Sequence, residues 1–399
     1  MENINKFFIF FVLLVGLLSP VFADDNDIST KEYDATQIVA MMKFGWNLGN
    51  TLDASSGYGP KDLSTETSWG QPKTTKAMID GLAKSGVKTI RIPVSWNEHM
   101  IDKFYTVDPK WMARVKQIVD WAYENDMFII LNSHHDNYDK NAKIPAGKGM
   151  YYPSQENYEE SSKYLKSLWK QICAHFYDYD YHLIFETMNE PRPRGTNYEW
   201  WYDQNSAVCK KYMGTLNKLN QDVVNTIRNS GENNKYRMIM VPSLAASPDA
   251  ALTRDFRIPA DVVENRIAIS VHMYTPYDFA MASPGDIKFT DAHKKNLTSI
   301  YKRLNEKFVS AGYPVVIGEM GATNKDNLED RIAWFDYFIS EARKHGIMTC
   351  CLWDNGVWKI NKNDPKDKIY SEHYGYYNRT KQTWYFPEIL NAALKAMEK

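Results

Sequence analysis

From about residue 44 onward, short apolar runs take turns with longer stretches in which apolar residues recur every three or four positions. The runs at 44–48, 87–92, 128–132, 183–187, 237–241, 267–271, 315–318 and 348–353 are rich in β-branched and aromatic side chains and read as eight buried strands. The stretches at 75–84, 109–124, 156–176, 208–228, 297–308, 328–345 and 384–397 carry helical spacing. Strand and helix in alternation predict βα units and a parallel sheet. Eight of them predict an α/β fold whose sheet closes on itself, a (β/α)8 TIM barrel in a single domain over 24–399. An open doubly wound sheet is the alternative, but no Gly-x-Gly-x-x-Gly follows the first strand and no Gly-x-x-x-x-Gly-Lys occurs. No Pro-, Ser- or Thr-rich linker divides the chain, so the barrel itself has to recognise what it acts upon.

The residues just past each run are polar or aromatic: Asn47, Arg91, His134 with His135, Asn189 with Glu190, His272 with Tyr274, Glu319 and Trp353. In a closed barrel the carboxyl ends of all strands share one rim, so these scattered positions converge on one pocket. Glu190 and Glu319 give that pocket a chemistry. A glutamate at a strand end is most often solvated or caps the next helix, but Glu190 lies between Asn189 and Pro191, which fix the backbone and set an amide beside the acid. Two carboxyl groups across one cleft are the minimum equipment for cutting a glycosidic bond: one protonates the leaving oxygen, the other attacks or activates water.

Composition narrows the partner. The formal net charge of the 399 residues is −1, which excludes a field steering the protein to nucleic acid or an anionic membrane. Aromatics are 14% of the chain, with 12 Trp and 26 Tyr, more than a core needs, and such rings stack on sugar faces. Trp69 and Trp96 are candidates to extend a groove, with ordinary packing as the alternative for each. Residues 1–23 carry Lys6, an apolar run from Phe7 to Leu18 and small residues before Ala23, the pattern of a secretory signal peptide too short to span a bilayer. A soluble, secreted, extracellular monomer is therefore expected. Cys173, Cys209, Cys350 and Cys351 allow three pairings and none has metal-finger spacing. Cys350 and Cys351 should face opposite ways on a strand. Asn296 and Asn378 begin glycosylation sequons. Adjacent His134 and His135 lack a third ligand at zinc-enzyme spacing, so neither a metal nor an organic cofactor is expected.

Phe185-Glu186-Thr187-Met188-Asn189-Glu190-Pro191 resembles the acid motif of glycoside hydrolase family 5, the cellulase family. The segments beginning at Gly45, Ile90, Asn132, Val271 and Ile317 resemble its other signatures in order, and the resemblance spans nearly all of the chain after the leader. It is closest to endoglucanases of anaerobic plant-fibre-degrading microbes. The resemblance implies Glu190 as general acid and later base and Glu319 as a nucleophile acting with retention. It also implies Arg91 and Tyr274 as supports for Glu319, His272 beside Glu190, Asn189 on the sugar 2-hydroxyl, His134 and His135 on other hydroxyls, and Trp353 as a platform under the sugar. For Arg91 a structural ion pair is the competing reading.

The expected activity is endo-hydrolysis of β-1,4 links in cellulose and related β-glucans such as mixed-linkage glucan. Xyloglucan, xylan and mannan are related specificities that loop shape decides. A carbohydrate-binding protein on a dead barrel is the reading from another class, and both intact glutamates stand against it.

Overall fold

The protein's structure, a computed structural model, describes residues 29–56, 62–141, 149–361, 363 and 372–399. The leader at 1–23 lies outside the described residues. No helix among the described residues is long and apolar enough to cross a membrane.

Eight strands form a closed barrel in sequence order: β1 (Phe44–Asn47), β2 (Thr89–Ile92), β3 (Phe128–Asn132), β4 (Leu183–Glu186), β5 (Ile239–Pro242), β6 (Ile267–Met273), β7 (Val315–Met320) and β8 (Thr349–Leu352). All neighbours pair in parallel, β8 against β1 included. The helices α1 (Ala35–Met42), α2 (Lys76–Lys84), α3 (Pro109–Tyr123), α4 (Tyr158–His175), α5 (Ala207–Arg228), α6 (Pro248–Leu252), α7 (Tyr277–Ala280), α8 (Asp291–Lys307), α9 (Leu328–Lys344) and α10 (Pro387–Ala396) accompany them. The expected TIM barrel is the observed fold.

Side chains of a strand alternate between its two faces, and in a barrel one face is the interior. Ile129, Leu131, Leu183, Phe185, Ile239, Val241, Ile267 and Ile269 face outward and pack in the large core with the surrounding helices. Ile130, Ile184, Met240, Ala268, Val316 and Cys351 face inward and form a second apolar cluster with Ile38, Val39 and Met42 of α1. That helix is absent from the pattern-based reading, although Asp34 and Gln37 announce it: each side chain accepts the other's backbone N–H in a capping box. Two residues further along the strands, the inward set turns polar: Arg91, Asn132, Glu186 and Ser270 are all fully buried, and the other three each donate a hydrogen bond to Glu186.

Four strand limits differ from expectation by two residues, the first being that of β2, which starts at Thr89 instead of Val87. β5 starts at Ile239, because the Arg237 side chain turns back to donate to the carbonyls of Phe176, Tyr179, Asp180 and Leu183 and pins the segment before β4. β6 and β7 run on to Met273 and Met320, so His272 and Glu319 lie inside strands rather than beyond them. The β6–β7 register also slips: Val271 faces Ile317, but His272 faces Glu319. This bulge reverses the alternation, since Val315 and Ile317 face the helices and an unbroken strand would send Glu319 the same way. A Cβ on Gly318 would stand 3.2 Å from the His272 ring, so the smallest residue suits the crossover.

The four cysteines are free and buried. Cys350 packs in the outer cluster and Cys351 in the inner one, the opposed facing that strand geometry requires.

Candidate active site

Arg91 organises the rim. Its guanidinium is completely buried and donates from Nε to Glu186 Oε2 (2.8 Å), from Nη1 to Asn47 Oδ1 (2.9 Å) and Glu319 Oε1 (2.8 Å), and from Nη2 to Asn189 Oδ1 (2.7 Å). A planar fork of fixed donors can serve four side chains at once in a way a lysine cannot. Burial works against its charge, but Glu186 and Glu319 outweigh burial and hold its pKa above the ordinary arginine value. Asn47 is oriented in turn by donating to the Gly318 carbonyl at 3.0 Å.

Glu319 accepts Arg91 on one oxygen and the Tyr274 hydroxyl on the other, at 2.9 Å. His272 Nδ1 lies 2.8 Å from Glu190 Oε1 and 3.6 Å from Glu319 Oε2. One oxygen of each carboxylate and a ring nitrogen of His272 all fall within 4.8 Å of one another. The two glutamates thus meet across one crevice, Glu190 with 16% and Glu319 with 7% of its side chain open to solvent.

The charges in this cluster are shared. Burial pulls the His272 pKa down, yet the Glu319 charge and the hydrogen bond and charge of Glu190 overcome it and raise the imidazole above its usual value. Burial pushes Glu190 up, but the His272 hydrogen bond and charge, then Arg192 and Arg91, leave it lowered. Glu319 is raised, chiefly by burial and with Glu190 adding, against the pull of His272 and Arg91. The two directions, His272 up and Glu190 down, both favour the proton on the imidazole side of their shared hydrogen bond. The proton count is the same either way: imidazolium beside carboxylate and imidazole beside carboxylic acid differ only in which side of a 2.8 Å hydrogen bond holds the proton.

The wall of the pocket holds the other predicted residues. His134 is buried, its Nδ1 3.2 Å from the Asn132 amide, and its ring lies parallel to Trp353 at 5.8 Å between centroids. Burial, then the neighbouring His135 and Arg91, drive the His134 pKa far down, so it is a neutral hydrogen-bonding ring. His135 is pulled down to about 4, first by burial and then by Arg192, although a third of it reaches solvent. Gly49 lets the chain pass under Trp353: a Cβ there would come 2.9 Å from the indole and 2.7 Å from the Asp354 carbonyl. Of the two groove candidates, Trp69 is exposed with its ring 5.6 Å from His135, but Trp96 is fully buried and donates to the Asn132 carbonyl, a packing role.

Pattern reading missed several neighbours. Glu186 is one, and a charged residue inside a buried strand was its available signal. Asp53 is another: it stands 4.0 Å from His135 and, with His134, makes a trio of possible metal ligands that spacing in sequence does not reveal. Both Asp53 oxygens already accept backbone N–H groups, from Asn50 and Thr51. Arg192 is a third, 3.5 Å from Glu190 and stacked at 3.9 Å on the exposed ring of Trp200.

A TIM barrel with a pair of carboxyl groups at its rim, one held by a buried arginine and one by a histidine, is the architecture of a glycoside hydrolase. The family model for cellulase (glycosyl hydrolase family 5) matches residues 54–358. Endoglucanase A of Clostridium longisporum is 39% identical over 367 residues, 90% of this chain and 65% of that protein, so the chain spans just under two thirds of that relative's length. Endoglucanase B of Ruminococcus albus is 37% identical over 91% of this chain and 81% of its own. Among solved structures, a lichenase from Caldicellulosiruptor sp. F32, determined with cellotetraose, superposes with a TM-score of 0.83 at 41% identity, covering 91% of this chain and 95% of that one. A broad-specificity endoglucanase from Ruminococcus champanellensis with bound cellotriose gives 0.81 at 36% identity, covering 91% and 98%. The chain belongs to glycoside hydrolase family 5.

Proposed function

We propose that the protein is a secreted, retaining endo-β-1,4-glucanase that cuts cellulose-like and mixed-linkage β-glucans by double displacement. The observation that carries this reading is the approach of Glu190 and Glu319 to within 4.8 Å, oxygen to oxygen, around a buried arginine. Retaining enzymes hold their carboxyl groups about 5–5.5 Å apart and inverting ones ~6.5–9.5 Å, to admit a water. The cellotetraose and cellotriose bound by the lichenase and endoglucanase relatives support a glucan substrate, and the leader's composition supports export. In this reading Glu319 attacks the anomeric carbon while Glu190 gives its proton, replenished from His272, to the departing oxygen. Asn189, fixed through its carbonyl by Arg91, turns its amide to the 2-hydroxyl, and Trp353 underlies the sugar.

Product analysis on soluble carboxymethyl cellulose, barley glucan, xyloglucan, xylan and mannan tests the substrate. NMR of the first-formed anomer tests the stereochemistry, and an α-product from a β-glucan would overturn retention.

The pH dependence has a worked sign. Glu319 must be ionised, and its pKa lies above the usual glutamate value, so kcat/KM falls as pH drops through that raised value. The His272–Glu190 pair must keep its proton, so kcat/KM falls again as pH rises through the raised imidazole value. His272→Asn removes the proton store, leaves Glu190 to titrate by itself and should move the alkaline limb to lower pH. An unmoved limb in a pH–rate series would assign it elsewhere. Trp353→Ala is expected to lower kcat/KM on cellotetraose by roughly 10-fold or more, with Trp353→Phe keeping most of the activity, as a stacking platform requires.

A further inference from the structure

Glu186 touches no part of the open crevice, yet it is the second carboxylate on Arg91. Its position is fully enclosed, and every neighbour donates to it: Ser270 Oγ at 2.6 Å on Oε1, Arg91 Nε at 2.8 Å and Asn132 Nδ2 at 2.9 Å on Oε2. An all-donor surround suits a carboxylate that stays an acceptor at both oxygens. Among the described residues, Glu186 and Glu319 are the two carboxylates in salt-bridge contact with Arg91; its other hydrogen-bonded neighbours are Asn47, Asn189 and, 3.4 Å from Nη2, the Nε2 of His272, none of which brings it a negative charge.

The double-displacement reading, on which this inference rests, uses up one of those two charges. An electron pair of the Glu319 carboxylate forms the bond to the anomeric carbon. The bond from that carbon to the glycosidic oxygen breaks, its electrons stay on the oxygen, and the oxygen takes the proton of Glu190. Before the step, Arg91 faces Glu186 and Glu319 as anions. After it, Glu319 is a neutral ester, the Glu190–His272 pair beside Arg192 has given up one proton, and Arg91 keeps Glu186 alone. A buried guanidinium stripped of its last anionic partner is costly.

We propose that Glu186 is a positioning residue that holds the charge of Arg91 balanced while Glu319 is esterified, so that it favours formation of the covalent intermediate and not its hydrolysis. Hydrolysis restores the Glu319 carboxylate and thus returns a partner to Arg91. Loss of the Glu186 charge should therefore slow the first step selectively and leave the second unchanged or faster. A residue that merely shapes the pocket would slow both.

Glu186→Gln fits the site: its oxygen can face Arg91 and Asn132 and its amide can face Ser270, so the shape survives without the charge. Inactivation by 2,4-dinitrophenyl 2-deoxy-2-fluoro-β-cellobioside reads the first step, since this leaving group needs no proton. Recovery of activity after removal of the excess reagent reads the second. In E186Q we expect inactivation ~100-fold slower than in the unaltered enzyme and recovery as fast or faster, the first figure being the scale of breaking a buried pair. Equal slowing of both steps, or no change in inactivation, overturns the inference. Glu186→Asp keeps the charge at a greater distance and should slow inactivation less than E186Q, with recovery unaltered. It carries the test by itself if E186Q does not fold, and equal slowing in E186D likewise overturns the proposal. A separate outcome bears on the underlying mechanism: if mass spectrometry of the unaltered enzyme shows no fluorocellobiosyl adduct on the peptide holding Glu319, double displacement fails whatever Glu186 does.

Discussion

Glu319→Ala should lose on the order of 10⁵-fold in kcat on barley glucan with a near-native melting temperature, because the substitution removes the atom that attacks and leaves the binding wall intact. The side chain is 7% exposed and has Arg91 and Tyr274 as partners, so its loss leaves a buried cation with Glu186 still in place. The cavity left by the carboxylate can admit a small anion. With an activated aryl cellobioside, azide should therefore restore turnover by attack from the face Glu319 occupied and yield the α-glycosyl azide. Wild-type activity in this variant, or rescue giving the β-azide, would place the nucleophile elsewhere.

Glu190→Gln is expected to separate substrates by leaving group. On polysaccharide, where the departing alkoxide needs a proton, kcat/KM should fall by ~10³-fold, the usual scale of general acid catalysis. On dinitrophenyl cellobioside the first step should barely change, and the second should become limiting because no base remains to activate water. The alkaline limb of the pH profile should also vanish on the activated substrate. Equal losses on both substrates would instead assign Glu190 a structural role through its contacts with His272 and Arg192.

The barrel was legible because parallel strands buried on both faces must be apolar throughout, and six of the seven gaps between them, with the stretch after the last strand, showed the helical period. The convergence of Arg91, Glu190, His272, Tyr274 and Glu319 was legible for the same reason: a strand's carboxyl end needs no side-chain geometry to be placed on the rim. What stayed hidden depends on direction or on loops. Whether Trp96 faces the groove or the core is decided by its hydrogen bond to the Asn132 carbonyl, and no local pattern carries that information. Asp53 reaches His135 through the turn after β1, and Trp200 reaches Arg192 across the loop after β4, both set by backbone paths that periodicity does not describe. Glu186 was readable from its chemistry, since a carboxylate that ends the buried run Leu-Ile-Phe-Glu cannot be enclosed without a cation. The resting protonation pattern depends on His272 lying between two carboxylates, a distance no sequence states.

The slipped register of β7 makes the nucleophile's placement a matter of parity. One residue removed between Ile317 and Glu319, or one added, would rotate the carboxylate through half a turn into the layer of helices, where it would have no cation, and would leave Arg91 with an empty side. The tolerance of this strand to substitution and its tolerance to insertion or deletion should thus be unrelated. Variant libraries that change residues on β7 other than Glu319 can retain activity, while those that change its length should lose it uniformly, even where the barrel still closes.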